Sequence, residues 1–186
     1  MLAYQGGDAK AFEELFSRYK TRLFNYLRRS LGDSVQAEDL FQTLCLRVHR
    51  ARETYRPEAA FSTWVYTIAR NLVRDAIDRK AVREREEPKS LSEGGEESLS
   101  LTERVGDERY APETVFKQKE IATRLQQAFL TLSAEQREVI LLSKYEGLSF
   151  PQIAEILGCS VSAAKVRAFR ALKALRAALG DVKELC

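Results

Sequence analysis

The side chains with the most chemistry to offer stand in SFPQIAEILGCSVSAAKVRAFRAL, residues 149–172. From Ser160 to Gly180 there are five basic residues and no acidic one. At helical spacing, Ser162, Lys165, Val166, Phe169, Arg170 and Lys173 fall on one side, and Val161, Ala164, Ala168, Ala171, Leu172 and Leu175 on the other. A merely solvated helix usually mixes signs to gain i,i+4 pairs. A one-signed face suits phosphate neutralisation, and Val166 and Phe169 among the cations suit contact with a thymine methyl or a sugar. The plainer reading is a basic bundle helix with Phe169 half-buried.

Local signals frame this face. Ser149 and Gln152 have the spacing of a capping box, and Pro151 sits in a first turn where its missing N–H costs little. Gly158 stands where a positive φ would stop a helix, and Ser160 where a hydroxyl would start the next. Ala154 and Gly158 are small enough for two helices to approach closely, as a helix-turn-helix requires.

Three further groups lie earlier in the chain. In AEDLFQTLCLRV, Glu38, Asp39 and Gln42 share the polar side of an amphipathic helix and suit docking on a basic helical partner, although such faces are also commonly just solvated. In YRPEAAFSTW, Tyr55, Arg56, Phe61, Ser62 and Trp64 surround a proline-constrained turn; aromatics beside a cation can hold unstacked bases, while Phe61 and Trp64 could equally be core. In TWVYTIARNLVRDAIDRK, Arg70, Asn71, Arg74, Asp75 and Lys80 surround a helix whose inward side would be Ile68, Leu72 and Ile77. Asn71 offers a bidentate contact to adenine or is a surface amide, and the arginines can neutralise phosphates.

The positioning elements read as helices throughout. Phe12, Leu15, Phe16, Tyr19, Leu23, Tyr26 and Leu27 mark one, broken by Gly32 and Asp33. Leu40, Phe41, Leu44, Leu46 and Val48 mark a second, and residues 61–77 a third. After residues 86–115, further helices are expected over 115–130, 135–144 and the two in the opening stretch. The predicted fold is all-α, with small helical domains over residues 1–85 and 116–186. The segment between them is rich in Glu, Ser and Gly and reads as a flexible acidic linker.

Charge follows the same division. Residues 1–80 carry 14 Lys or Arg against 10 Asp or Glu, residues 81–115 carry 5 against 10, and residues 116–186 carry 11 against 7. Two basic blocks therefore flank an acidic one, a pattern compatible with two phosphate-binding surfaces. No apolar run approaches a membrane span, and no secretion signal is visible at the start. Cys45, Cys159 and Cys186 are dispersed and His49 is the sole histidine, so no disulfide framework, metal or cofactor is expected, and a reducing cytoplasm fits.

The order GD-x-x-AF, AEDL-x-Q, F-x-TW-x-x-x-IARN-x-x-x-D, an acidic linker, then L-S-x-x-x-R-x-V-x-L and a helix-turn-helix resembles the extracytoplasmic function group of sigma-70 family RNA polymerase sigma factors. The likeness spans about residues 7–80 and 116–180. It implies a region 2 bundle and a region 4 helix-turn-helix, with core RNA polymerase (β′ clamp helices and β flap), promoter DNA and an anti-sigma factor as partners. No small-molecule substrate and no direct membrane insertion are implied.

By that resemblance Glu38, Asp39 and Gln42 grip the β′ clamp helices. Tyr55 to Ser62 becomes the loop that captures a flipped −10 base, with Trp64, Asn71, Arg74 and Asp75 around the melted strand; Trp64 and Asp75 could instead be structural. Ser162, Lys165, Val166, Phe169, Arg170 and Lys173 become the −35 face. Ala163, Ala168 and Val166 depart from the residues common there, which leaves base preference open. Two other classes compete. A repressor or activator would bind duplex tightly without polymerase. An enzyme would need a base-plus-orienter grouping, which Ser62, Ser149 and His49 do not supply.

Overall fold

Helices in this chain begin and end where side chains or glycines take up the free backbone groups of the terminal turns. The computed structural model describes residues 1–86, 123–125, 127–129 and 131–179, and every regular element among them is helical. The expected linker lies outside the described residues from residue 87 onward, as does most of the helix expected over 115–130. The chain divides into two compact units, as an all-α chain of two helical domains should.

The first unit holds α1 (Leu2–Gln5), α2 (Ala9–Leu31), α3 (Ser34–Arg50), a 3-10 turn (Ala51–Thr54) and α4 (Phe61–Glu86). Asp8 caps α2 by accepting from the amides of Lys10 and Ala11 at 2.9 and 3.2 Å. Gly32 ends it with φ 75°, and Asp33 starts α3 by accepting from the Gln36 amide at 3.0 Å. These caps contribute about 1 kcal/mol each.

α2, α3 and α4 pack on one another around Leu23, Tyr26, Leu27, Leu44, Val65, Tyr66 and Leu72, all buried. Tyr26 meets Tyr66 edge to face at 5.3 Å and 85°. Two residues assigned inward by sequence turn out exposed. Leu46 lies two positions past buried Leu44, ~200° round the helix from it, whereas Ile77 keeps the phase of Tyr66 and Val73 but lies past Val73, the last residue of α4 that is buried among the described ones.

In the second unit, residues 123–125 and 127–129 are helical. α5 (Ala134–Ile140) follows and widens into a π-turn (Leu141–Tyr145), then come α6 (Phe150–Leu157) and α7 (Val161–Leu179). A complete capping box opens α5. The Gln136 amide donates to Ser133 Oγ at 3.3 Å, and the Ser133 amide to Gln136 Oε1 at 3.0 Å. Val139, Ile140, Leu141 and Leu142 are all buried, so the end of this helix is surrounded rather than one-sided. The π-turn is closed by the Glu146 amide donating five residues back to Leu141 at 3.0 Å.

At the start of α6, Gln152 Oε1 accepts from the Ser149 amide at 3.0 Å and from its hydroxyl at 2.8 Å. At its end Gly158 has φ 62°, its amide donates to Glu155 O at 3.2 Å, and the Cys159 amide donates to Ala154 O at 2.9 Å. That pair is a Schellman closure. Ser160 Oγ then accepts from the Ala163 amide at 3.1 Å, which starts α7. α7 packs on α5 through Ala164, Ala168, Ala171 and Leu175, all buried. Val161 and Leu172, expected on that side, are exposed. Leu172 stands a full ~100° beyond Ala171, and Val161 is the first residue of the helix.

Candidate nucleic-acid interfaces

On α3, Glu38, Asp39 and Gln42 are all exposed, on the side opposite the buried Ala37, Leu44 and Val48. Among the described residues their side chains make no hydrogen bond or ion pair, so their acceptors are free for a partner. The structure adds two apolar neighbours that the sequence reading missed or misplaced. Val35 and Leu46 are 68% and 57% exposed. With Asp39 and Gln42 between them they follow an i, i+4, i+7, i+11 stripe, the seam by which one helix lies along another. The available signal was that Leu46 is out of phase with Leu44.

The turn after α3 brings three aromatics together. Tyr55 meets Trp64 at 5.2 Å and Phe61 at 6.3 Å, both edge-on, and Phe61 and Trp64 are 5.8 Å apart. Tyr55, expected at the loop surface, is only 7% exposed, because its ring fills the space beneath its two partners. Its hydroxyl donates to Ala59 O at 3.4 Å, pinning the loop from within. Arg56 remains exposed on that loop, while Phe61, Ser62 and Trp64 are half-buried in the first turn of α4. Further along α4, Asn71, Arg74 and Asp75 are exposed. Asp75 pairs with Arg47 of α3 at 3.7 Å, and its carbonyl accepts from Arg79 Nε at 3.0 Å.

On α7, Ser162, Lys165, Val166, Phe169, Arg170 and Lys173 are all exposed, as their spacing required. Phe169 is 69% exposed and Val166 47%, which rules out a half-buried Phe169. Arg167 behaves differently from the other basic residues, pairing with Glu135 of α5 at 3.5 Å. It ties the helix down while Lys165, Arg170 and Lys173 face solvent.

The first unit also carries an open apolar cleft lined by residues of α2, α3 and α4, among them Phe12, Phe16, Tyr19, Phe41, Cys45 and Phe61. Burial pushes the Cys45 thiol up from its ordinary range, with a backbone hydrogen bond opposing in part. The residue therefore serves as a small apolar group rather than a thiolate.

Comparison with known proteins defines the class. Residues 15–83 match Sigma-70 region 2, and residues 122–175 match Sigma-70, region 4. The chain is 33% identical to the RNA polymerase sigma factor CarQ of Myxococcus xanthus, over 98% of this chain and 97% of that one. It is 31% identical to the ECF RNA polymerase sigma factor SigW of Bacillus subtilis (strain 168), covering 95% and 92%. Its fold is similar to that of a sigma factor RpoE crystallised with the anti-sigma factor NepR from Bartonella quintana, with TM-score 0.70 and 21% identity over 92% of this chain and 98% of that one. CnrH, in complex with the cytosolic domain of CnrY, superposes with TM-score 0.64 at 23% identity over 94% and 91%.

A unit packed from α2, α3 and α4, followed by a helix-turn-helix unit, each matching its own region, makes the chain a member of the sigma-70 family. Within that family it belongs to the extracytoplasmic function group of RNA polymerase sigma factors, initiation factors that bind core RNA polymerase and direct it to promoter DNA.

Proposed function

We propose that this sigma factor divides promoter reading between α7 and the α4 surface. Arg170, Lys165 and Lys173 contact bases and phosphates of duplex −35 DNA, with Val166 and Phe169 against thymine methyls or sugars and Ser162 at the helix start. Phe61, Ser62 and Trp64, backed by Tyr55 and flanked by Arg56, hold an unpaired −10 base. Asn71 and Arg74 follow the melted strand, and Asp75 holds α4 to α3 through Arg47. Glu38, Asp39 and Gln42, with Val35 and Leu46 at either end, dock on the polymerase clamp helices.

The observation that carries this reading is that all six residues of the α7 face are exposed on one side, within the stretch that matches region 4. The protein works by binding and has no catalytic step of its own. Opening a base pair costs a few kcal/mol, which contacts to the unpaired base and to polymerase-held DNA can offset. Two weak DNA surfaces gain little from one another until polymerase fixes their separation, so free protein binds promoters poorly.

The matched stretches support domains over 1–85 and 116–186 with a linker over 86–115. An anti-sigma factor is the further partner we propose; the apolar cleft of the first unit offers it an uncovered surface, and two structures of similar fold are described as complexes with proteins of that kind or with a partner's cytosolic domain. We place the protein in the cytoplasm, beside polymerase and DNA; no helix among the described residues is long and apolar enough to cross a membrane.

The test is run-off transcription from genomic promoter fragments with purified core polymerase. A promoter-specific transcript appears with this protein and is lost in an Asp39→Ala/Gln42→Ala variant through weakened core binding. Absence of a transcript on every fragment would sink the reading.

A further inference from the structure

The short helix α1 belongs to neither DNA surface, yet it is fastened to the loop that carries one of them. Gln5 Nε2 donates to Glu53 O at 2.9 Å and makes a longer contact to Tyr55 O at 3.5 Å. These carbonyls belong to the backbone entering the loop of residues 55–60, and Tyr55 is the ring on which Trp64 and Phe61 rest. The position of Gln5 is fixed in turn by its neighbour. Tyr4 stacks on Phe12 at 4.6 Å and 29°, and its hydroxyl meets His49 Nδ1.

The other nitrogen of that imidazole, Nε2, faces Arg52 Nη1 at 3.2 Å. A guanidinium can only donate, so Nε2 accepts, the ring proton resides on Nδ1, and the Tyr4 oxygen accepts it. Arg52 Nη1 also donates to His49 O at 3.0 Å. The series Arg52, His49, Tyr4 thus seats α1 at the end of α3, and Gln5 turns that seat into a restraint on residues 53–55.

We infer that Gln5 is a positioning residue for the base-capturing loop: it holds the Tyr55 backbone so that Tyr55, Phe61 and Trp64 are already arranged for an unpaired base. The inference rests on the proposed reading of that loop. A restraint of this kind acts by reducing the ordering that binding must otherwise impose.

The experiment uses full-length protein with core polymerase and a promoter recovered by run-off, as duplex and with its −10 segment opened by mismatches. Gln5→Ala and Gln5→Glu both remove the amide donor. Each is expected to lower open-complex formation on the duplex template about fivefold, the scale of one lost neutral hydrogen bond. The defect shrinks on the pre-opened template, core affinity stays at its wild-type value, and the melting temperature falls by no more than the few degrees that one lost hydrogen bond accounts for.

An active wild type matched by Gln5→Ala on the duplex would overturn the inference. So would an equal loss on both templates, which marks a general structural role. A wild type inactive on every template would instead overturn the base-capture reading itself.

Discussion

On α7 the outward residues are cationic or apolar and the inward ones are mostly alanines. On α4 the outward side carries Trp64, Asn71 and Arg74, and the inward side carries Val65, Tyr66 and Leu72. The alanines let α7, a helix of 19 residues, lie close on α5 while its opposite side stays exposed. A single straight helix of that kind fits the major groove of an intact duplex, where recognition is by a row of side chains. At the start of α4, aromatics from a turn and a helix meet edge to face. A cluster of rings suits a base that has left its stack, because every base has a π-face. The contrast teaches that, on the proposed reading, one chain meets paired and unpaired DNA by changing what lies behind the contact: small residues behind one face, large rings behind the other.

The largest effect is expected where this contrast is most sensitive to volume. Ala168→Leu pushes about three extra side-chain heavy atoms between α7 and α5 and should cost about 2–3 kcal/mol of stability. A thermal melt of the full chain would show it, and an unchanged melting temperature would mean that α7 does not depend on alanine. Next, Trp64→Ala should weaken binding of a −10 single strand in the holoenzyme by about 2 kcal/mol, while −35 duplex contacts persist. A loss on both would break the division of labour.

Smaller still, Arg170→Ala should cost about 1–2 kcal/mol on the preferred −35 sequence and relax choice at one position. Lys165→Ala should instead weaken all sequences alike and lower the salt slope by about one. Reversal of those two outcomes would exchange the roles of base contact and phosphate contact. The smallest effect belongs to Asp75→Asn, which removes the pair with Arg47. Both side chains are about half exposed, at 47% and 55%, so about 0.5 kcal/mol or less is expected, and less at high salt. A large loss of −10 binding in that variant would give Asp75 a direct DNA role.

Much of this was legible in the residues themselves. Helix boundaries at Gly32, Asp33, Gly158 and Ser160 are local events, since a positive φ or a capping oxygen acts within a turn. The face of α7 was legible because period and charge agree over three turns. Leu46, Ile77, Val161 and Leu172 were misplaced because hydrophobicity says that a residue could be buried, not that a neighbour waits on that side. Arg167 looked like any other cation of its helix until Glu135, 32 positions away in sequence, was found beside it. Tyr55 read as a surface aromatic because its neighbours Arg56 and Pro57 are polar or turn-forming; only the packing of Phe61 and Trp64 puts it underneath.

By itself, then, the sequence determined the helical class, the order of the two DNA-facing segments and the one-signed side of α7, because caps, period and charge act through bonds and neighbours close along the chain. The tertiary structure decided which cations stay free, which aromatic supports and which presents itself, and that α1 reaches the loop through Gln5. Those facts depend on side chains that meet only once the helices pack, Arg167 and Glu135 from 32 positions apart and Tyr4 and His49 from 45, and on how the turn after α3 folds Tyr55 under Phe61 and Trp64; no helical period contains them.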